Sequence, residues 1–248
     1  PRMLDGLRQR VPQWRNACMR RYAGLRAYLG RQSPLRRSVL LVGMGGAALG
    51  LLLFLYVLVL IPLTPSIHDL QQARTARATT ILSGDGVQLA SFDQGQQERI
   101  KLAQVSPYVI QALVDTEDHR FYQHHGVDFR RTAGAILHTI GGDAQGGSTI
   151  TQQLARNLFP DEIGRSRSIS RKLKEFVTAI KIERAYSKEQ ILETYLNTVP
   201  FLYNAFGIEM AARTYFDKSA AKLNVLESAT LVGMLKGTHY YNPVLNPE

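Results

Sequence analysis

The sequence contains almost no cysteine. Cys18 is the only one among 248 residues, so the chain cannot form an intrachain disulfide bond. A lone cysteine is most simply a free thiol in a reducing compartment. The ordinary aliphatic and aromatic content also excludes a disulfide scaffold and a collagen-like or disordered chain. The length leaves room for one mid-sized domain with a packed core.

Most of the chain also lacks an excess of charge. The formal net charge is +10, but residues 1–37 hold ten arginines, no lysine and one acid, Asp5. That tail carries +9, which leaves only +1 for residues 38–248. The excess is therefore a basic tail and not the surface of a folded domain. We predict no nucleic-acid partner.

Charged residues are missing from positions 38–67, and positions 39–63 are almost wholly apolar. About 20 such residues cross the ~30 Å hydrocarbon core of a membrane. A signal peptide is the alternative, but its apolar region is shorter and ends at a cleavage site. Because arginines accumulate on the N-terminal side, that side is predicted to be cytoplasmic. The sequence thus predicts a basic cytoplasmic tail at 1–37 and a transmembrane helix at 38–63.

The remainder divides into a linker with a small strand region, residues 64–105, and a mostly helical domain, residues 106–248. Within the linker, two short apolar runs flank Gly84-Asp85-Gly86, which indicates a hairpin. Helix starts are predicted at Ser106-Pro107 and at Asp128. Spacing typical of capping boxes occurs at Thr149 with Gln152, Ser187 with Gln190, and Asn224 with Glu227.

A long helix is predicted over residues 168–185. Its apolar residues at helical spacing predict one core-facing stripe. The stripe consists of Ile169, Leu173, Phe176, Val177 and Ile180.

The first segment whose side chains could take part in catalysis begins with two adjacent acids, Glu117 and Asp118, at the end of an apolar helix. A carboxylate there can take a proton from a sugar hydroxyl as a general base. A solvated helix end capped by Gly126 is the alternative. His124 and His125 do not fit a common zinc spacing, so no metal ligand is predicted.

The second segment, residues 146–157, leads from a glycine pair into a helix whose first turn is rich in hydroxyls and amides. Free N–H groups and the helix dipole favour a phosphate or a polar sugar at such a start. An ordinary capped helix is the alternative. The segment lacks the spacing of a nucleotide-binding Walker A loop.

The third segment, residues 156–174, is strongly basic. Arg171 and Lys172 lie four and three residues before Glu175, so the three side chains can share a helix face. They can form exposed ion pairs worth about 0.3–0.5 kcal/mol each. They can also form a clamp for a doubly charged phosphate group. The spacing leaves both interpretations open.

Together these segments resemble the family 51 glycosyltransferases, the peptidoglycan glycosyltransferase domain of class A penicillin-binding proteins and their monofunctional relatives. The resemblance covers residues 81–248 and rests on four motifs in order. They are Glu117-Asp118, Phe121, His124 and Gly126 (EDxxFxxHxG); Gly146, residues 148–153 and Asn157 (GxSTITQQxxKN, with Arg156 for the usual Lys); Arg171, Lys172 and Glu175 (RKxxE); and Lys188, residues 191–192 and 195–197 (KxxILxxYLN).

The resemblance implies a mainly α, lysozyme-like fold with two lobes and a cleft, following one transmembrane helix. It implies polymerisation of lipid II, a disaccharide-pentapeptide on undecaprenyl diphosphate, with inversion at the anomeric carbon. Glu117 would be the catalytic base, and Glu175 would assist on the leaving-group side. The implied substrate-binding residues are Asp118, Phe121, His124, Ser148, Thr149, Gln152, Gln153, Arg156, Asn157, Arg171 and Lys172.

The resemblance also implies further components. A divalent cation, Mg²⁺ or Mn²⁺, is an option near Glu175. The expected partners are the growing glycan strand, the cytoplasmic membrane, a downstream transpeptidase domain and other cell-wall synthesis proteins. Departures from the family pattern at residues 200–207, Asp217 and 237–241 concern the acceptor and glycan-exit region. A lysozyme-like glycan-cleaving enzyme and a non-catalytic membrane-anchored scaffold are the alternatives.

Overall fold

The structure is a computed structural model that describes residues 19–24, 26–75, 79–85, 88–92, 96–140, 146–166, 168–203, 205–237 and 240–241. Residues 1–18 and 25 of the predicted basic tail, including Cys18, lie outside the described residues. The chain divides into two compact units, residues 1–56 and 57–248.

The described residues are mainly helical, which confirms the predicted class. Residues 19–24 and 26–30 are helical. The helices that follow are α1 (Pro34–Leu60), α2 (Ile67–Thr75), α3 (Pro107–Glu117), α4 (Phe129–Ile140), α5 (Ile150–Leu158), α6 (Pro160–Ile163), α7 (Ile169–Ala185), α8 (Lys188–Thr198), α9 (Ile208–Phe216) and α10 (Val225–Leu235). Short 3₁₀ turns lie at Leu102–Gln104, Phe121–Gln123 and Ala220–Lys222.

Helix α1 is long and apolar enough to cross a membrane. Its 27 residues extend about 40 Å at 1.5 Å per residue, which exceeds the hydrocarbon thickness. The helix begins at Pro34 because proline fits the first helical position, where its missing N–H is not needed. It ends at Leu60, three residues before the predicted span does, because Pro62 disfavours helical backbone at Ile61.

The chain that follows α1 is attached to α7 by Lys181. The three N–H donors of the Lys181 ammonium are shared among four oxygens, the carbonyls of Ile61, Thr64 and Pro65 at 2.8, 3.1 and 3.1 Å and the Thr64 hydroxyl at 2.8 Å. Carbonyls near a helix end lack intrahelical donors, and the lysine supplies them. Burial lowers the pKa of Lys181, although the Asp69 carboxylate opposes that shift.

Strands are few. β1 (Thr79–Leu82) pairs antiparallel with β2 (Gln88–Phe92), with a register shift between Ile81 and Leu82. This pairing confirms the predicted hairpin. β3 (Gln96–Gln97) pairs in parallel with β4 (Ala205–Phe206), so the segment before the helical domain is joined to the connection between α8 and α9.

The predicted helix starts are confirmed, and most caps have the expected chemistry. Capping boxes are present at Thr149, Ser187 and Asn224. Asp128 caps α4, because its carboxylate accepts the Arg131 N–H at 3.0 Å. The Ser106 side chain is the exception. It donates to the Leu223 carbonyl at 2.8 Å and thereby joins α3 to the segment before α10.

The predicted apolar stripe of α7 is wrong in part. Ile169 is 79% exposed, whereas the buried face carries Glu175, Val177, Thr178, Ala179 and Ile182. Helix α5 packs along α7 and also contacts α8. The face that α7 turns inward is therefore partly polar, which a search for apolar periodicity does not detect.

Asp128 makes the stability of the fold depend on pH. Burial raises the pKa of this carboxyl, but the Arg131 N–H and the Arg120 guanidinium outweigh it, so the pKa lies below the ordinary 3.8. The resulting stability is present above the unfolded-state pKa and is lost as pH falls through the folded-state pKa. We expect Asp128→Asn to lower the free energy of unfolding by about 1–3 kcal/mol at pH 7.

This difference from the wild type should shrink as pH falls from about 4 through the lower pKa of the folded carboxyl, because the stability linked to its charge is then lost. Thermal unfolding of the full chain in detergent micelles at pH 7 and pH 3 measures it. Asp161→Asn is the control, since Asp161 is 85% exposed and pairs with an exposed Arg165. An equal loss at both pH values would show that the Asp128 charge is unimportant.

Candidate active site

Glu117 is the last residue of α3 and is half-buried. Its Oε2 accepts a hydrogen bond of 2.6 Å from Nε2 of Gln153 on α5. Gln153 Oε1 in turn accepts one of 3.0 Å from the hydroxyl of Tyr195 on α8. The Glu117 carbonyl accepts a hydrogen bond from Arg131. The candidate base is thus held by contacts to α4 and α5.

Asp118 is fully buried. Its carboxylate lies 3.0 Å from His124 Nε2 and accepts the Ile150 N–H, the first of α5, at 3.1 Å. Negative charge is favourable at a helix start. Asp118 therefore joins the end of α3, the loop of the first motif and the start of α5.

Gly126 lets the same loop pass close to α7. Its φ is +89°, and an added Cβ would lie 2.8 Å from the carbonyl carbon and oxygen of Ala179. A side chain there would face both backbone strain and a clash with main-chain atoms. The Gly126 carbonyl accepts a 2.7 Å hydrogen bond from the Thr149 hydroxyl, which ties the loop to α5.

Glu175 is buried on α7 and is surrounded by cations. Oε1 is paired with the Arg171 guanidinium, and Oε2 lies 2.5 Å from Lys172 Nζ. Arg156 approaches from α5 at 4.0 Å. Lys172 also donates to the Ser148 hydroxyl at 2.7 Å, just before α5. Three positive charges thus share one buried carboxylate, and Lys172 and Arg156 remain partly exposed.

Helix α5 connects the two glutamates. Gln153 contacts Glu117, and Arg156, three residues later, approaches Glu175. Residues three apart lie on one helix face and are about 4.5 Å apart along the axis. The structure therefore places a carboxylate that can accept a proton beside a fixed group of cations. Such a site suits a reaction that releases an anionic phosphate.

The family model described as Transglycosylase matches residues 85–248. The chain belongs to the transglycosylase family. It is 38% identical to penicillin-binding protein 1A of Escherichia coli (strain K12) over 191 residues, which is 75% of this chain and 22% of that protein. It is 38% identical over 173 residues to penicillin-binding protein 1F of Bacillus subtilis (strain 168), covering 69% of this chain and 24% of that protein.

Another relative, penicillin-binding protein 2D of the same Bacillus strain, is 40% identical over 173 residues, covering 68% of this chain and 25% of that protein. The chain thus matches about a quarter of the length of these relatives. The transglycosylase match includes all four motifs that the sequence analysis identified.

The transglycosylase motifs separate into accessible and interior residues. Glu117, Ser148, Gln153, Arg156, Asn157 and Lys172 are partly accessible, and Arg171 and His124 are only slightly so. Asp118, Phe121, Thr149 and Gln152 are buried and contact the protein itself. Substrate contact by these four stays a prediction; their observed contacts fix the loop of the first motif and the start of α5.

The sequence did not reveal the roles of two residues of the site, Arg131 and Lys188. Arg131 donates to the carbonyls of Glu117 and Gly146, so it connects the first and second motifs. Lys188 donates to Glu183 and to the His124 carbonyl, and its ammonium lies 4.2 Å from the centre of the Phe121 ring. Lys188 was in the fourth motif, but no spacing indicated these partners.

A metal site is not evident in the described parts of the chain, where no three His, Cys, Asp or Glu side chains cluster suitably. The oxygens of Glu175 are already bound by Arg171 and Lys172, with Arg156 nearby. A divalent cation would add charge to a group that is already positive. These residues do not fit a divalent cation.

A surface cavity of about 360 Å³ lies beside the loop of the first motif. It is lined by Arg120, Gln123, His124, His125, Val127, Asp128, Phe129 and Arg130. Neither Glu117 nor Glu175 lines it, so the cavity is separate from both candidate catalytic glutamates.

Asp118 provides a test of the buried connection. We expect Asp118→Asn to lower the free energy of unfolding by about 3 kcal/mol, because it leaves buried donors without their charged acceptor. Urea unfolding of the full chain in micelles measures this loss. Asp217→Asn is the matched control, since Asp217 is exposed. Its backbone has a left-handed conformation (φ 52°), which asparagine also accepts. Equal stability of the two variants would contradict the role assigned to Asp118.

Proposed function

We propose that this transglycosylase is a peptidoglycan glycosyltransferase that polymerises lipid II. The 4-hydroxyl of the acceptor sugar attacks the anomeric carbon of the donor. The new bond joins that oxygen to the anomeric carbon, and the bond from this carbon to the lipid diphosphate breaks with inversion. Glu117 takes the hydroxyl proton, and the diphosphate leaves with the bonding electron pair.

Glu117 suits the role of base because it is half-buried and held at one oxygen. Gln153 binds Oε2, so we assign Oε1 to the incoming hydroxyl. A base must lie within hydrogen-bond reach of the proton it takes. Fixing one carboxylate oxygen from α5 reduces the conformations in which the other oxygen would miss its target.

The cations around Glu175 are the observation that supports the proposed function most strongly. One carboxylate holds Arg171 and Lys172, with Arg156 at 4.0 Å, so the group has an excess of two positive charges. Because the cations are placed before substrate arrives, little reorganisation is needed when charge develops on the diphosphate. Cleavage of a neutral glycosidic bond, as in a lysozyme-like hydrolase, does not require such a group.

We also propose how the protein is placed in the cell. Helix α1 would cross the cytoplasmic membrane once, with the arginine-rich tail inside and the catalytic domain outside. A lipid-linked donor exists only in the membrane, so tethering raises its effective concentration near the site. A downstream transpeptidase domain and cell-wall synthesis partners belong to the same proposal.

The proposal is tested by supplying the purified full chain, in micelles, with lipid II and measuring glycan polymer. We expect polymer from the wild type and a loss of about 10²–10⁴-fold in kcat for Glu117→Gln, because the base is removed while its shape is kept. The control is Asp115→Asn, which removes a half-exposed carboxylate two residues before Glu117 on α3. It should keep wild-type turnover.

Solubilised cell wall without polymer would favour the hydrolase instead. No turnover of either substrate by the folded wild type would favour a scaffold. A Glu117→Gln variant that retains more than about a tenth of the activity would place the base elsewhere.

Arg171→Ala tests the cation group. We expect kcat/KM for the donor to fall by about 10²-fold or more, since one fixed donor to developing charge is lost. Some stability should also be lost, because Arg171 pairs with the buried Glu175. Turnover per folded molecule, with the folded fraction determined by circular dichroism, separates the two effects. Lys174→Ala is the control, because Lys174 is on the same helix but binds the Glu162 carbonyl.

A further inference from the structure

We propose that Tyr195 is a positioning residue for the reaction and acts on Glu117 through the amide of Gln153. This inference rests on the proposed function, in which Glu117 is the base. Tyr195 is fully buried on α8, whereas Glu117 ends α3 and Gln153 lies on α5. Two hydrogen bonds, of 3.0 and 2.6 Å, connect the three side chains in series.

The direction of the series follows from the protonation of Tyr195. Burial raises the pKa of this phenol, the Glu117 carboxylate raises it further, and Arg156 opposes the shift. A phenol whose pKa lies above the ordinary 10 is protonated at neutral pH. A protonated phenol beside an amide oxygen is a hydrogen-bond donor.

That donor decides how the Gln153 amide is turned. An amide has one end that accepts and one end that donates. Because the Tyr195 hydroxyl binds Oε1, the NH₂ end points to Glu117 and donates to Oε2. The opposite orientation would place the amide oxygen against a carboxylate, and the two would repel each other. Tyr195 therefore keeps Gln153 in the orientation that binds the ionised base.

The surrounding packing makes the series rigid. Helix α5 contacts α8, and Tyr195 is among the largest fully buried side chains. The ring cannot follow Gln153 if the amide turns, because core side chains are held in fixed rotamers. The interior of the domain thereby fixes an atom of the active site without contacting substrate.

The test is a double-mutant cycle in the full chain with lipid II. Tyr195→Phe removes only the hydroxyl and should lower kcat about tenfold, with the donor KM unchanged within about twofold. Gln153→Leu should cause a larger loss. If Tyr195 acts through Gln153, the double variant should match Gln153→Leu within about twofold, since the intermediary is already gone. Tyr108→Phe, which removes an exposed hydroxyl on α3, should keep wild-type kcat.

Losses that multiply in the double variant would overturn the inference, because Tyr195 would then act independently of Gln153. A raised KM with unchanged kcat would overturn it as well. These outcomes differ from failure of the proposed function, which would appear as a wild type that makes no polymer.

A second measurement does not need turnover. With ¹⁵N-glutamine labelling, the side-chain amide protons of Gln153 are identified by their loss in Gln153→Leu. One of these Gln153 amide protons is hydrogen-bonded to Glu117. We expect its resonance to move upfield in both Tyr195→Phe and Glu117→Gln. A Gln153 signal that is unchanged in Tyr195→Phe would refute the positioning role whether or not the protein polymerises glycan.

Discussion

The arrangement of the site depends on a buried carboxylate that must be paired. Glu175 is fully buried, and an unpaired charge in the interior would cost several kcal/mol. Arg171 and Lys172 come from its own helix, and Arg156 comes from α5. The requirement to neutralise Glu175 thus fixes where these cations lie and holds α5 against α7. The same cations are then available to a phosphate.

Helix α5 sets the spacing of the side chains in the site. Its start is fixed three times: by the Thr149 capping box, by the Thr149 hydroxyl bound to the Gly126 carbonyl, and by Asp118 at the Ile150 N–H. With the start fixed, Gln153 and Arg156 occupy set positions along one face. The spacing between Gln153, which binds Glu117, and Arg156, which approaches Glu175, is therefore set by helix geometry.

Local signals in the sequence predicted local structure well. Caps at Asp128, Thr149 and Ser187 follow from short-range chemistry, and so does the hairpin between β1 and β2. The inward face of α7 was mispredicted because two buried polar residues, Glu175 and Thr178, stand where apolar residues would otherwise pack. Contacts such as Tyr195 to Gln153, 42 residues apart, have no sequence periodicity and could be found only in the fold.

The four motifs, which the resemblance supplied, combine two kinds of residue. Asp118, Thr149 and Gln152 are buried, and Asp118 and Thr149 bind backbone groups of other segments, so their identity is required by the protein's own hydrogen bonds. In the proposed function, contact with substrate falls to the accessible residues, chiefly Glu117, Arg156 and Lys172. A few accessible side chains held by a rigid interior suit a reaction whose main barrier comes from charge developing on the leaving group. Fixed dipoles and cations stabilise that charge without reorganising.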